Sequence, residues 1–367
     1  MPTSSPAMMD ERPIVLHVGG MKAGSSALQY DLTWQPVRSA VNAGEPAYEY
    51  VSLLPSQTLR ATQLQQHAAN FSAHYSMSDQ IHSLLEQPAE GLAAGLAGLE
   101  RVHQDGRVPI LSYETWLTAA PADIHAFARA LGGQIRVVAY IRPPVQWLAS
   151  LYYQRDYTRE ANLPQFLAKW LPKARCADAI DAWKAAPSVD RIDIRLHGQD
   201  ICTDFCRLLG CEPSGHAVQH NRSLPAVAVE LLERHALPAG VSLSEAKFAL
   251  WRWLPENSPL LDQLTPAPFP FDQQQVSQII AETQAASQRL LESCDAATRE
   301  KIEADARWWS DAPEVHDATA ATQPAVLPPP PANADAFTLL LWECLLQADA
   351  AWRQSSPHSL RKSQGEF

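Results

Sequence analysis

Apolar positions along this chain fall into short unbroken runs separated by helical spacing. PIVLHV at 13–18 is such a run and stops at Gly19-Gly20, which predicts a buried strand entering a tight loop. VPILS at 108–112 predicts a second strand, IRVVAYI at 135–141 a third, and the alternation from Arg191 to Leu196 another. Between them the spacing turns helical: from Ser25-Ser26 onward, over Asp123–Leu131 before Gly132-Gly133, and after Arg142-Pro143-Pro144, where Trp147, Leu148 and Leu151 follow. Residues 57–105, polar and rich in Ala, Leu and Gln, read as helices throughout. Strands alternating with helices predict an α/β fold with a mostly parallel central sheet, helices on both faces and three layers in all.

Beyond about residue 225 the pattern becomes helical, with amphipathic helices expected over 272–296 and 297–309. PAVLPPPPAN lies within 313–333, and proline at this density predicts an extended linker. Helical spacing returns at 334–353, where Leu339, Trp342, Leu346 and Ala350 share a face. That face needs a cover, either the parent domain or a second chain, so a homodimer or partner contact is one expectation. The organisation expected is therefore a domain over 13–312, a linker over 313–333, a C-terminal helix over 334–353 and a tail over 354–367.

The composition, 46% hydrophobic and 19% charged over 367 residues, suits a globular chain with a sizeable core. A net charge of -11 argues against a protein that coats nucleic acid, but leaves room for one local anion pocket. No stretch is apolar enough to span a membrane. The start, MPTSSPAMMDERP, lacks a basic and then apolar leader, so the expected location is the cytoplasm. Six cysteines in a chain this long do not make a disulfide framework.

The candidate chemistry sits after the first strand. Gly20, Lys22, Ala23, Gly24, Ser25 and Ser26 form a glycine-containing loop running into a helix. Such a turn aims backbone N–H groups and the helix dipole at an anion. A nucleotide-triphosphate loop, G-x4-G-K-[ST], would need lysine where this chain has Ser25, and Lys22 lies inside the loop instead. A nucleotide kinase is therefore the weaker enzyme reading. Arg142 closes the buried strand 135–141 and Ser150 follows eight residues later on the next helix. Together they offer a forked charged donor and a neutral one to a phosphate.

These two junctions resemble the signatures of sulfotransferases that use 3′-phosphoadenosine 5′-phosphosulfate. His17, Gly19, Lys22, Gly24, Ser25, Ser26, Leu28 and Gln29 match the form H-x-G-x-x-K-x-G-[ST]-[ST]-x-L-Q, with Ala23 in place of a usual small hydroxyl residue. The resemblance covers about 13–312. It implies a P-loop-like fold and a nucleotide donor whose 5′-phosphosulfate meets the first loop and whose 3′-phosphate meets Arg142 and Ser150, with no metal required. It implies Lys22 as the cation at the leaving group. It also implies a base near the strand before Arg142, where Glu114 stands, with Glu49 and His17 as alternatives. The extended motif is similar to that of carbohydrate-acting and bacterial members, so a saccharide acceptor is favoured over a small metabolite. A non-catalytic nucleotide binder of the same fold stays open because the base is not unmistakable.

Other signals weigh less. Cys202, Cys206 and Cys211, with His216 and His220, have spacings C-x3-C and C-x4-C that do not reproduce a zinc framework, so no metal is expected. Trp251-Arg252-Trp253 and Trp308-Trp309 could stack sugars, but read first as core.

Overall fold

The computed structural model describes residues 12–20, 22–54, 57–70, 89–152, 163–198, 200–213 and 269–316. The chain divides into two compact units. The first comprises Met1–Trp147, Leu171–His220 and Ile280–Trp309; the second comprises Leu148–Trp170, Asn221–Ile279 and Ser310–Phe367.

The first unit is built on one seven-stranded sheet. Its strands are β1 (Pro13–Gly19), β2 (Val37–Arg38), β3 (Ala47–Leu54), β4 (Gln57–Arg60), β5 (Arg107–Tyr113), β6 (Gln134–Ile141) and β7 (Val189–Leu196). The order is β2-β3-β5-β1-β6-β7, with β4 paired to β3. The five longest strands, β3, β5, β1, β6 and β7, run parallel; β2 and β4 pair antiparallel with β3. The α/β fold with a mostly parallel sheet is therefore the one the hydrophobic runs predict. Those runs are unbroken because the inner strands are covered on both faces.

The helices are α1 (Ser25–Trp34), α2 (Ala61–Asn70), α3 (Ala89–Gln104), α4 (Pro121–Leu131), α5 (Pro144–Leu151), α6 (Leu163–Trp170), α7 (Cys176–Ala185), α8 (Ile201–Leu209), α9 (Gln273–Ser293), α10 (Ala296–Ala304) and α11 (Pro313–His316). Alternate residues of β1 divide the core in two. Ile14, Leu16 and Val18 join Leu99 of α3, Phe127 of α4, Trp183 of α7, Leu290 of α9 and Ile302 of α10. Val15 faces the other way, with Leu28 and Leu32 of α1, Leu64 of α2 and Phe205 of α8. Three layers result: helices, sheet, helices.

Local chemistry explains the helix ends. Pro121 occupies the first turn of α4, where no N–H is needed, and Gly132 at φ 62 ends it, its N–H donating to the Ala128 carbonyl. Asp200 caps α8 and Asp295 caps α10, each accepting from a threonine N–H three residues on.

Two expectations change. The stretch 57–105 is not helical throughout: Gln57–Arg60 is β4, with Leu54 paired to Gln57 in an antiparallel ladder. Four residues are too few to show a period of two, whereas pairing to β3 buries Thr58 and Leu59. The expected linker over 313–333 is helical at its start, since Pro313–His316 forms one turn with His316 buried against the Ser310 carbonyl. Its proline stands at the first helical position, where it does not oppose a helix. The helices expected over 272–296 and 297–309 are observed as α9 and α10, followed by a 3-10 turn at Ala306–Trp308. The C-terminal helix expected over 334–353 and the tail lie outside the described residues. Among those residues, no helix is long and apolar enough to cross a membrane.

In the second unit the described residues are Leu148–Tyr152, Leu163–Trp170, Phe269–Ile279 and Ser310–His316. Tyr152 meets Phe166 edge to face with ring centroids 5.1 Å apart, and Gln273 Nε2 donates to the Asp311 carbonyl at 2.8 Å.

Candidate functional site

The strand order places the candidate residues at one edge. β1 lies between β5 and β6, yet the chain leaves β1 for β3, beyond β5, before returning. Loops at the C-terminal ends of β1, β5 and β6 therefore open a crevice where the direction of winding reverses, the usual ligand position in open parallel sheets. Gly20–Gly24 follows β1, Glu114 follows β5, and Arg142 follows β6.

The first loop is wound tightly. Lys22 is left-handed at φ 64 and Gly24 at φ 85, and the Ala23 N–H donates back to the Gly20 carbonyl at 3.1 Å. Glycine takes such a φ freely, whereas lysine at φ 64 costs energy and needs support. A side chain on Gly24 would also be confined, since a Cβ there would stand 3.0 Å from Ile201 Cδ1 and 3.2 Å from His197 Cδ2. Helix α1 starts at Ser25 without a side-chain cap, so its first N–H groups remain available to an anion. Ser25 and Ser26 are both buried. Ser25 Oγ has no hydrogen-bond partner, while Ser26 Oγ donates to Glu114 Oε1 at 3.3 Å.

Arg142 is a part-buried cation of the site. Its Nη1 donates to the Lys22 carbonyl at 2.9 Å. No carboxylate pairs with it among the described residues. Burial, and then the nearby Arg307 guanidinium, pull its pKa down to about 10. A part-buried guanidinium is less well solvated than an exposed one, and a bound anion would offset that loss. Arg307 itself is tied to Asp305 at 2.7 Å. A narrow cleft beside the loop is lined by Gly20, Ala23, Thr118, Arg142, Trp147 and Lys173.

His197, which follows β7, belongs to this cluster, although the sequence alone did not mark it. Its N–H donates to the Ile141 carbonyl at 2.9 Å, beside Arg142. Burial, Arg142 and Lys22, in that order, lower its pKa to about 4, so it is neutral at physiological pH. Nothing in the local sequence singles it out; the pairing of β7 with β6 brings it beside Arg142.

The three candidate bases separate by position. Glu114 stands beside the loop and touches Ser26. Glu49 lies toward the N-terminal end of β3, opposite Pro109 and far from the C-terminal crevice. It is 1% exposed and receives Arg60 Nε at 2.8 Å, Arg60 Nη2 at 2.7 Å and Arg107 Nη1 at 2.8 Å. His17 is wholly buried on β1, with Nδ1 on Ser112 Oγ at 2.7 Å. Burial lowers its pKa to about 3.

The structure thus brings Gly20, Lys22, Ala23, Gly24, Ser25, Ser26, Glu114 and Arg142 to one crevice of the first unit. Ser150, on the last turn of α5, belongs to the second unit. Cys202 and Cys206 face the core from α8 and Cys211 is buried just beyond it. No group of metal-ligating side chains occurs among the described residues. Trp308 is core, at 1% exposed. His216, His220, Trp251 and Trp253 lie outside the described residues.

No protein-family model matches the chain, and no curated protein does. Among solved structures, a sulfotransferase from Alicyclobacillus acidocaldarius is similar at 14% identity and a TM-score of 0.31, over 60% of this chain and 90% of that one. A likeness of that size decides neither fold nor activity. The α/β assignment stands on the strand order and register given above.

Proposed function

We propose that the chain is a sulfotransferase that moves a sulfuryl group from 3′-phosphoadenosine 5′-phosphosulfate to a hydroxyl or amine acceptor, with 13–312 as the domain that does so. One observation carries the reading. An anion-type loop with an unpartnered buried serine hydroxyl meets a part-buried arginine that has no carboxylate partner among the described residues, both at the C-terminal ends of adjacent parallel strands. The residue set fits this donor. The N–H groups at the start of α1, with Ser25 and Ser26, suit the 5′-phosphosulfate, and Arg142 suits the 3′-phosphate, with Ser150 assigned to it by spacing. Lysine is absent from position 25, where a kinase loop would need it.

In this reading the acceptor oxygen forms a bond to sulfur as the bond from sulfur to the bridging oxygen breaks. The leaving electron pair stays on the 5′-phosphate. Lys22 offsets that charge, and Glu114 takes the acceptor's proton. A saccharide is the acceptor class that the extended loop motif favours. Calorimetry with adenosine 3′,5′-bisphosphate, followed by transfer of labelled sulfate across a panel of saccharides and small hydroxylated compounds, tests the reading. Absence of nucleotide binding overturns it. Binding without transfer to any acceptor would instead support a non-catalytic nucleotide binder.

A further inference from the structure

Beneath the loop lies a buried polar group of which the proposed chemistry uses only Ser25. His17, Ser25, Gln29 and Ser112 are 0%, 1%, 0% and 3% exposed. Polar atoms this deep normally find partners. Two bonds join the group: His17 Nδ1 with Ser112 Oγ at 2.7 Å, and Gln29 Nε2 donating to the Ser112 carbonyl at 3.2 Å. His17 Nε2, Ser25 Oγ and Gln29 Oε1 have no partner.

Gly19 explains how these atoms meet. It lies two residues after His17 on the same face of β1. A Cβ at Gly19 would stand 1.9 Å from Ser25 Oγ and 3.3 Å from His17 Cε1. The Ser25 hydroxyl therefore fills the place of the missing side chain, on the face of β1 that carries His17. Tyr140 and Phe205 flank the same ring, with centroids 5.8 Å and 6.2 Å away. They hold it in place and supply no charge.

A neutral imidazole has one donor and one acceptor nitrogen. If the Ser112 hydroxyl donates to Nδ1, the proton of the ring is on Nε2. That N–H and the Ser25 hydroxyl both lack a partner in the structure, and a bond formed from one to the other would leave the serine's own proton for a third group.

We propose that His17 is a positioning residue for Ser25, holding its hydroxyl so that the proton is directed into the Gly20–Gly24 loop toward a bound anion, with Ser112 fixing the imidazole tautomer. The role rests on the reading of this loop as the phosphosulfate site. It also takes His17 out of the set of candidate bases, because Nδ1 is engaged and the ring does not reach solvent.

A double-mutant cycle on the full chain tests the proposal, read by calorimetry with adenosine 3′,5′-bisphosphate. Ser25→Ala should weaken binding about tenfold, the loss of one hydrogen bond to an anion. His17→Ala should weaken it by a similar factor, and the double variant no more than Ser25→Ala alone. His17→Gln, whose amide N–H can replace Nε2–H, should recover most of the loss. Losses that multiply in the double variant overturn the proposal. A second measurement needs no ligand and no substitution at His17: the ring nitrogen shifts of His17 should report the Nε2–H tautomer and should move in Ser25→Ala. The opposite tautomer, or shifts indifferent to Ser25, overturns the proposal. Failure of the unmodified chain to bind the nucleotide sinks the sulfotransferase reading, and the ring shifts then decide the role of His17.

Discussion

Arg142 Nη1 donates to the carbonyl of Lys22 at 2.9 Å, joining the end of β6 to the loop after β1 across 120 residues of sequence. Lys22 holds a left-handed backbone that lysine adopts at a cost. One guanidinium thus supports the strained turn and still has N–H groups for an anion.

The first prediction follows. A residue serving the 3′-phosphate alone would leave binding of adenosine 5′-phosphosulfate untouched when removed. Arg142→Ala should weaken adenosine 3′,5′-bisphosphate at least tenfold, at about 1.5–3 kcal/mol for a charged hydrogen bond. It should also weaken adenosine 5′-phosphosulfate, by a smaller factor, because the loop loses its support. Calorimetry with both nucleotides separates the two contributions. An unchanged affinity for adenosine 5′-phosphosulfate would show that the bond to Lys22 does not organise the loop.

Lys22 permits a comparison of backbone with side chain. Lys22→Ala should lower turnover about 10²–10³-fold by analogy with a lost transition-state donor. Lys22→Gly should be as inactive, yet melt higher than Lys22→Ala, because glycine takes φ 64 without a steric cost. Thermal melts and single-turnover rates on both variants check this. Equal melting would mean that the turn is not strained by its side chain.

Glu114 and Glu49 should fail in different ways. Glu114→Gln should cost about 10²–10⁴ in turnover with nucleotide binding intact. Glu49→Gln should leave the rate per folded molecule alone and cost roughly 2–3 kcal/mol of stability, less than a fully buried pair because both arginines reach solvent. The pH dependence has a definite sign. Burial raises the Glu49 pKa, but the bonds from Arg60 and Arg107 more than reverse this, so it lies below the ordinary carboxylate value. The contribution is therefore full above that ordinary value and fades as pH falls through the lowered one. Urea melts of the two proteins should converge in acid. A gap that widens in acid would contradict the ion-pair assignment.

Gly19→Ala should disable the loop while sparing the fold. The new Cβ would collide with Ser25 Oγ, not with backbone, so the serine can yield by turning away. Nucleotide affinity should fall about as far as in Ser25→Ala, since the same donor is lost. Circular dichroism together with calorimetry would show it. Collapse of the secondary structure would mean that the backbone at Gly19 has no room to spare.

What the sequence disclosed follows from burial. β1, β5 and β6 are legible because a parallel strand covered on both faces must be apolar throughout, and the loop is legible because glycine and serine gather at its end. β4 is not, since four residues of mixed character become a strand only by pairing with β3. Glu49 looks like a base in one dimension. Its register opposite Pro109, with Arg60 and Arg107 beside it, makes it structural. His197 and the link from His17 to Ser112 depend on which strands lie side by side, and no local pattern encodes that.

The central place of β1 also bears on how the protein comes off the ribosome. β1, the first of the described strands, has neither of its sheet neighbours until β5 arrives, and His17 meets Ser112 only after 95 further residues. Until then a newly synthesised apolar segment waits with open edges, the kind of non-local pairing that slows folding and invites aggregation. The anion loop cannot preform on a nascent fragment. It comes into being only when β5 and β6 close on either side of β1, so chains shortened before Arg107 should need a holding chaperone and bind no nucleotide.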